Sequence, residues 1–230
     1  MAEFHFVEDY EKLVDRLVAE HPLDEAMAIA VGGLYNEIGQ IEADLLKHAG
    51  LRDGMAILDM GCGSGRLAHA LGKTGMRLRY TGVDIVQKLL DYAATKSPPH
   101  YLFLRSHALA VPAETGSLDF LCAFSLFTHL LHHETYLYME DIHRALKPGG
   151  KLVFSFLEFG AAVHWPIFIA TVNGSRTNTN PHLNSFIERS AIQIWSSHLG
   201  FIVDGYIEPE QAVSPVGPLG QTTVILQRAA

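Results

Sequence analysis

An apolar run, Ala56-Ile57-Leu58-Asp59-Met60, empties directly into Gly61-Cys62-Gly63-Ser64-Gly65 and then into a helix-forming stretch, Arg66 to Gly72. Few local structures tolerate this order. A short apolar run that ends in glycines suits a parallel strand buried on both faces. Glycines at alternate positions permit positive φ and let a ligand press against bare backbone. The helix that follows offers unpaired N–H groups and the positive end of its dipole, a seat for a carboxylate or phosphate. About twenty residues further on, Tyr80-Thr81-Gly82-Val83-Asp84 ends in an acid that can accept hydrogen bonds from both hydroxyls of a ribose. Strand, glycine turn, helix and downstream acid together predict a site for a nucleoside-like cofactor.

Spacing narrows the ligand. A dinucleotide fingerprint, G-x-G-x-x-G, needs a small residue where this chain has Arg66. Asp59 stands just before the loop, where a carboxylate would repel a pyrophosphate and suit an ammonium. No Gly-Lys-Ser/Thr follows, which excludes a P-loop.

The rest of the chain alternates strand and helix. Residues 1–50 read as a helical N-terminal cap: one amphipathic helix over Tyr10 to Glu20, interrupted at His21-Pro22, and a second through Ile38, Ile41, Leu45 and Leu46 that stops at Gly50. Residues 51–230 form the main domain. After the first strand and helix come a strand at Tyr80–Asp84, a helix at Val86–Thr95, a strand at Tyr101–Leu104 and another at Leu118–Phe124. A helix through Tyr136, Met139, Ile142 and Leu146, a turn at Lys147-Pro148-Gly149-Gly150 and a strand at Lys151–Leu157 follow. Residues 158–185 break the rhythm as an insertion, with a polar loop from Asn173 to Asn180. A helix from about Glu188 to Leu199 and strands at Phe201–Ile207 and Thr222–Gln227 close the chain. The alternation implies an α/β fold, a parallel sheet wound on both faces.

Ile57-Leu58-Asp59-Met60-Gly61-Cys62-Gly63-Ser64-Gly65-Arg66 closely resembles motif I of class I S-adenosylmethionine-dependent methyltransferases. The resemblance continues through Gly82-Val83-Asp84, Gly116-Ser117-Leu118-Asp119-Phe120 and Arg144-Ala145-Leu146-Lys147-Pro148-Gly149-Gly150, in order, over roughly residues 50–158. It implies a doubly wound, seven-stranded, mostly parallel sheet (a Rossmann-like methyltransferase fold) whose last strand is antiparallel. It implies S-adenosylmethionine as the cofactor, leaving as S-adenosylhomocysteine. Asp59, Gly61, Cys62, Gly63, Gly65 and Arg66 would surround the methionine part, Asp84 would take the ribose, and Ile85 would flank the adenine. Phe124 and Ser125 would line the cofactor. Many relatives carry an Asp after strand three; here His107 stands in its place, with the Ala108 backbone beside it as a second reader of the ring edge.

His129, in Ser125-Leu126-Phe127-Thr128-His129-Leu130, would sit near the sulfonium or the acceptor and is the candidate general base. His132 and His133 invite a metal reading, but no His-Glu-x-x-His pattern accompanies them, and no metal is expected. Glu158 and His164 are weaker catalytic candidates. Acceptor specificity is expected on the cap (Gly33, Tyr35, Gly39) and on the insertion (Phe159, Trp165, Phe168, His182), where Trp165 to Ile169 reads by default as core.

A formal net charge of −8, with scattered Lys and Arg, argues against nucleic-acid binding. There is no leader-like start, no membrane-length apolar run and no cysteine framework, since Cys62 and Cys122 read as reduced. The expectation is a cytoplasmic enzyme that methylates an O or N atom of a small molecule, with a homodimer left open. A non-catalytic S-adenosylmethionine-binding sensor or subunit stands as the alternative. A nicotinamide oxidoreductase is disfavoured by Arg66 and Asp59.

Overall fold

A computed structural model describes residues 7–177 and 183–230. The cap contains three helices, α1 (Val7–Glu20), α2 (Leu23–Ala30) and α3 (Tyr35–His48). Pro22 stands at the N-cap of α2, where its missing N–H costs the helix nothing. This short helix was not separated from its neighbours by sequence periodicity. Gly32, Gly33 and Leu34, all at positive φ, turn the chain from α2 into α3.

Then come β1 (Ala56–Met60), α4 (Arg66–Gly72), β2 (Arg79–Asp84), α5 (Gln87–Lys96), β3 (Leu102–Arg105), β4 (Leu118–Ala123) and α6 (His132–Ala145). β5 (Leu146–Phe156), α7 (Trp165–Thr177), α8 (Arg189–Leu199), β6 (Phe201–Ile207) and β7 (Thr222–Arg228) complete the chain. The seven strands form one sheet in the order β3-β2-β1-β4-β5-β7-β6, with β7 antiparallel to both of its neighbours. The expected α/β fold with a helical cap is present.

Side chains alternate across each strand, so β1 feeds two cores. Leu58 joins Phe154, Met139 and Ile142 on one face, and Ile57 joins Leu45, Leu46, Leu67 and Leu71 on the other. The cap docks through a smaller cluster in which Val14 of α1 and Met27 of α2 meet Val86, Leu89 and Tyr92. Strand order reverses between β1 and β4, which leaves a crevice at the carboxyl ends of the strands.

Three expectations need correction. Lys147–Gly150 is not a separate turn but an irregularity inside β5, where pairing jumps from Leu118↔Leu146 to Phe120↔Lys151 and Gly149 takes φ 77°. The stretch from Asn173 to Thr177 is the end of α7 rather than loop, because helical hydrogen bonding continues past its polar residues; Asn178 to Asn180 lie outside the described residues. Nor is Trp165 to Ile169 core. No residue of α7 is buried, and Trp165 is 52% exposed.

Gly39 shows how tightly cap and domain meet. A Cβ there would lie 2.4 Å from the carbonyl oxygen of Arg66. Gly39→Ala should therefore lower stability by roughly 1–3 kcal/mol through overpacking, although alanine in a helix normally gains about 1 kcal/mol. Urea unfolding would reveal the sign.

Candidate functional site

β1 and β2 end side by side, and the chain leaving β1 is fastened to the end of β2. The N–H groups of Gly61 and Cys62 both donate to the Val83 carbonyl, at 2.8 and 3.0 Å. The Gly63 N–H donates to one Asp84 carboxylate oxygen at 2.9 Å, and the Val86 N–H donates to the other at 3.0 Å. Burial pushes the Asp84 carboxyl above its ordinary value, opposed by these backbone donors. Each oxygen keeps lone-pair capacity for a further donor.

The glycine turn opens onto a cavity of about 400 Å³, within the range of small-molecule sites. Its floor is Asp59, Met60, Gly61, Cys62 and Gly63; Asp84, Ile85 and Ser106 form one side; Phe124, Ser125 and His129 form another. The cap supplies Tyr10, Leu13 and the run from Ile29 to Gly32. At Gly63, with φ 54°, a Cβ would come within 2.6 Å of Val31 Cγ1, so cap and loop touch where the loop is barest.

Arg66 begins α4 and lies at the cavity wall. Its guanidinium donates to the buried Glu42 carboxylate from Nε at 2.9 Å and from Nη2 at 2.6 Å, and to the Val31 carbonyl from Nη1 at 2.6 Å. Asp59 is 3% exposed; it accepts the Tyr80 hydroxyl at 2.6 Å and faces the Cys122 thiol at 3.5 Å. Burial, reinforced by the charge of Glu42, pushes its carboxyl up to about 7, against the lowering effect of the Tyr80 hydrogen bond. The buried Cys62 thiol is likewise pushed up by desolvation.

His129 occupies a single 3₁₀ turn, Phe127–His129, between β4 and α6. Its Nδ1 lies 2.7 Å from the Leu183 carbonyl, which can only accept. Nδ1 therefore carries the hydrogen, and in the neutral ring Nε2 is the basic nitrogen. Tyr10 of α1 packs edge-on against the imidazole at 5.9 Å.

Three residues with expected cofactor roles lie off the cavity. Gly65 faces Ala93, which a Cβ would meet at 2.6 Å, so it packs α4 against α5. The His107 ring turns back to within 3.2 Å of the Ile85 carbonyl. The Ala108 N–H donates to Ser106 Oγ at 3.3 Å, and its carbonyl accepts the Tyr138 hydroxyl at 3.1 Å. Ser106 and Tyr138 line the cavity there instead. Glu158 and His164 also lie away from it. Glu158 is held by Arg189, at 2.8 Å, and by the Thr222 hydroxyl, at 2.6 Å; the fully buried His164 bridges the Glu158 backbone and the Gly220 carbonyl. They clamp β5, β7 and α8.

Of the cap residues singled out by sequence, Tyr35 donates from its hydroxyl to the Ser64 carbonyl at 3.0 Å and Gly39 packs on Arg66; Gly32 rather than Gly33 lines the cavity. His132 and His133 are exposed, and among the described residues no group of His, Cys, Asp and Glu could hold a metal. His182 lies outside the described residues. Sequence reading missed Tyr10, Leu13, Ser106, Tyr138 and Gln221. Only Ser106, one residue from His107, had a nearby signal.

This glycine turn, downstream acid and sheet order resemble those of class I S-adenosylmethionine-dependent methyltransferase domains. Residues 58–154 match the family model described as a methyltransferase domain. The chain is 32% identical over 120 residues to the demethylmenaquinone methyltransferase of Lactococcus lactis, covering 48% of this chain and 45% of that protein. It is 26% identical over 164 residues to the malonyl-[acyl-carrier protein] O-methyltransferase of Serratia marcescens, covering 71% and 59%. The chain thus spans about half the length of the curated relatives it matches. The crystal structure of magnesium protoporphyrin IX methyltransferase from Synechocystis, with bound S-adenosylhomocysteine, shares the fold at TM-score 0.65 and 15% identity, over 97% of this chain and 96% of that one. No helix among the described residues is long and apolar enough to cross a membrane.

Asp59 sets a pH dependence. Its carboxyl is up at about 7 in the folded protein and near 3.8 when unfolded. The unfolded chain releases this proton first, so stability falls as pH rises from about 4 to 7 and the penalty is complete above 7. Asp59→Asn should flatten this fall, gaining on the parent by roughly 2–4 kcal/mol between pH 5 and pH 8. Parallel urea titrations at the two pH values test it; equal slopes would mean that Asp59 titrates normally.

Proposed function

We propose that this chain transfers a methyl group from S-adenosylmethionine to an O or N atom of a small-molecule acceptor. The observation that carries this reading is the shared cavity wall on which the glycine turn, Asp84 and His129 stand together. The residues present fit the cofactor. Bare backbone at Gly61 and Gly63, beside Asp59, suits the methionine part. Asp84, with spare acceptor capacity at a strand end, suits the ribose diol. Ile85 and Ser106 offer an apolar face and a hydroxyl for the adenine, in place of His107 and Ala108.

When bound, the cofactor supplies a methyl group activated on a sulfonium, so the protein's tasks are alignment and exclusion of water. The cap walls the cavity with Tyr10, Leu13 and Val31. His129 Nε2 takes the proton of a hydroxyl or ammonium acceptor, its tautomer set by the Leu183 carbonyl. The insertion bears a half-exposed aromatic cluster, with Phe159 stacked on Phe186 at 4.7 Å and edge-on to Phe168, which packs on Trp165. It supports a role for 158–185 on the acceptor side, since the same segment carries Leu183 to His129. The relatives named for demethylmenaquinone and malonyl-[acyl-carrier protein] differ in acceptor, which suits a common donor half and a variable acceptor half.

Calorimetry should show S-adenosylhomocysteine binding in the micromolar range and none of NAD; the reverse would end the reading. Asp84→Ala should weaken that binding by roughly 1–3 kcal/mol, as expected for hydrogen bonds to a carboxylate. Incubation of the protein and labelled methyl donor with a metabolite extract, followed by mass identification of labelled products, would name the acceptor. With an acceptor that must lose a proton, His129→Gln should lower product formation about 100-fold at saturating donor and leave S-adenosylhomocysteine affinity unchanged.

A further inference from the structure

Gln221, one residue before β7, lines the cavity beside Ser125. Its side chain is fixed from one end only. Gln221 Oε1 accepts the Ser155 hydroxyl at 2.7 Å and the Ser125 hydroxyl at 3.3 Å. Ser155 Oγ in turn accepts the Ser125 N–H at 2.7 Å. Ser155 is fully buried, so its own O–H needs an acceptor, and Gln221 Oε1 is the one within reach. This settles which end of the carboxamide is oxygen.

Ser125 makes the arrangement costly to build. It is one of two non-glycine residues at positive φ among the described residues, at 57°. A serine in this region is uncommon and strained. The unusual backbone points its N–H at Ser155 and its hydroxyl at Gln221, while its carbonyl accepts the Thr128 hydroxyl at 2.6 Å. Gln221 Nε2, by contrast, makes no hydrogen bond to any described residue. A half-buried amide is thus locked on its oxygen side, with two N–H donors left for whatever fills the cavity.

Building on the methyltransferase reading, we propose that Gln221 is the acceptor-recognising residue and that the acceptor presents an oxygen to it, as a phenolate, carboxylate or hydroxyl. Donors alone discriminate between nucleophiles. A neutral amine has a single lone pair, and a hydrogen bond to it would occupy the electrons needed for attack. An oxygen accepts from Gln221 and still holds a pair for the methyl group. In the transfer, that pair forms the new O–C bond while the electrons of the breaking C–S bond go to sulfur. For a hydroxyl acceptor, the proton leaves to His129 Nε2; a phenolate or carboxylate needs no base.

The test uses para-nitrophenolate as probe, titrated by its visible absorbance into the S-adenosylhomocysteine complex of the parent, Gln221→Leu and Gln221→Glu. The parent should bind it, Gln221→Leu should bind it roughly ten-fold more weakly, and Gln221→Glu should not bind it measurably. S-adenosylhomocysteine affinity, measured separately, should stay within about two-fold across all three. Equal probe affinity in parent and Gln221→Leu, or no probe binding by a parent that binds S-adenosylhomocysteine, overturns the assignment and leaves the methyltransferase reading standing. Loss of S-adenosylhomocysteine binding in either variant also overturns it, because Gln221 would then serve the donor side. If the parent itself binds no S-adenosylhomocysteine, the methyltransferase reading fails first and this one with it.

Discussion

Arg66 joins the parts of this molecule that sequence separates. It starts the helix behind the glycine turn, pairs with buried Glu42 on α3 and donates to the Val31 carbonyl at the end of α2. A buried carboxylate is tolerable only with such a partner, and Arg66 without Glu42 would leave a charge stranded at the cavity wall. The planar fork matters, because one guanidinium serves both the carboxylate and a backbone carbonyl in different directions. The cap is therefore registered on the glycine turn by directional bonds as well as by the apolar cluster around Met27 and Val86. Tyr35 and Ser64 reinforce the same joint, through hydrogen bonds to the Ser64 and Met27 carbonyls.

The glycine turn and its downstream acid were legible in sequence because they depend on local rules. Glycines at fixed spacing after a strand, and an acid at the end of the next, are features of single segments, and Gly61, Gly63 and Asp84 line one cavity. His107 and Ala108 lie off the cavity for a local reason too: the turn after β3 aims Ser106 inward and turns the His107 ring back to Ile85. Gly65 was read as ligand contact, yet its missing side chain makes room for Ala93. A glycine alone does not say which of its neighbours needs the space.

The wall of the cavity opposite the glycine turn was not legible, for a different reason. Its residues come from α1, α6 and the start of β7, distant segments that only the sheet order brings together. Nothing around Gln221 in sequence, between a Pro/Gly-rich loop and a strand, distinguishes it from a surface polar residue. Its side chain is held by Ser155 and Ser125, which approach from two other strands' ends. Glu158 and His164 looked chemical in sequence because both are titratable and follow β5. Their pairing with Arg189, Thr222 and Gly220 turns that chemistry into a fastening for the antiparallel end of the sheet.

The cap forms a wall of the cavity, and its own core is small. Part of the surface that would bury Leu13, Ile29 and Val31 is whatever molecule occupies the space beneath them. Ligand binding and cap docking are then linked by mass action: a ligand that fills the cavity adds RT ln(1 + [L]/Kd) to the free energy of local unfolding of α1 and α2. Amide exchange and protease resistance in residues 7–33 become a gauge of occupancy. The segment read from sequence as a helical cap reports, from outside, on the state of the site.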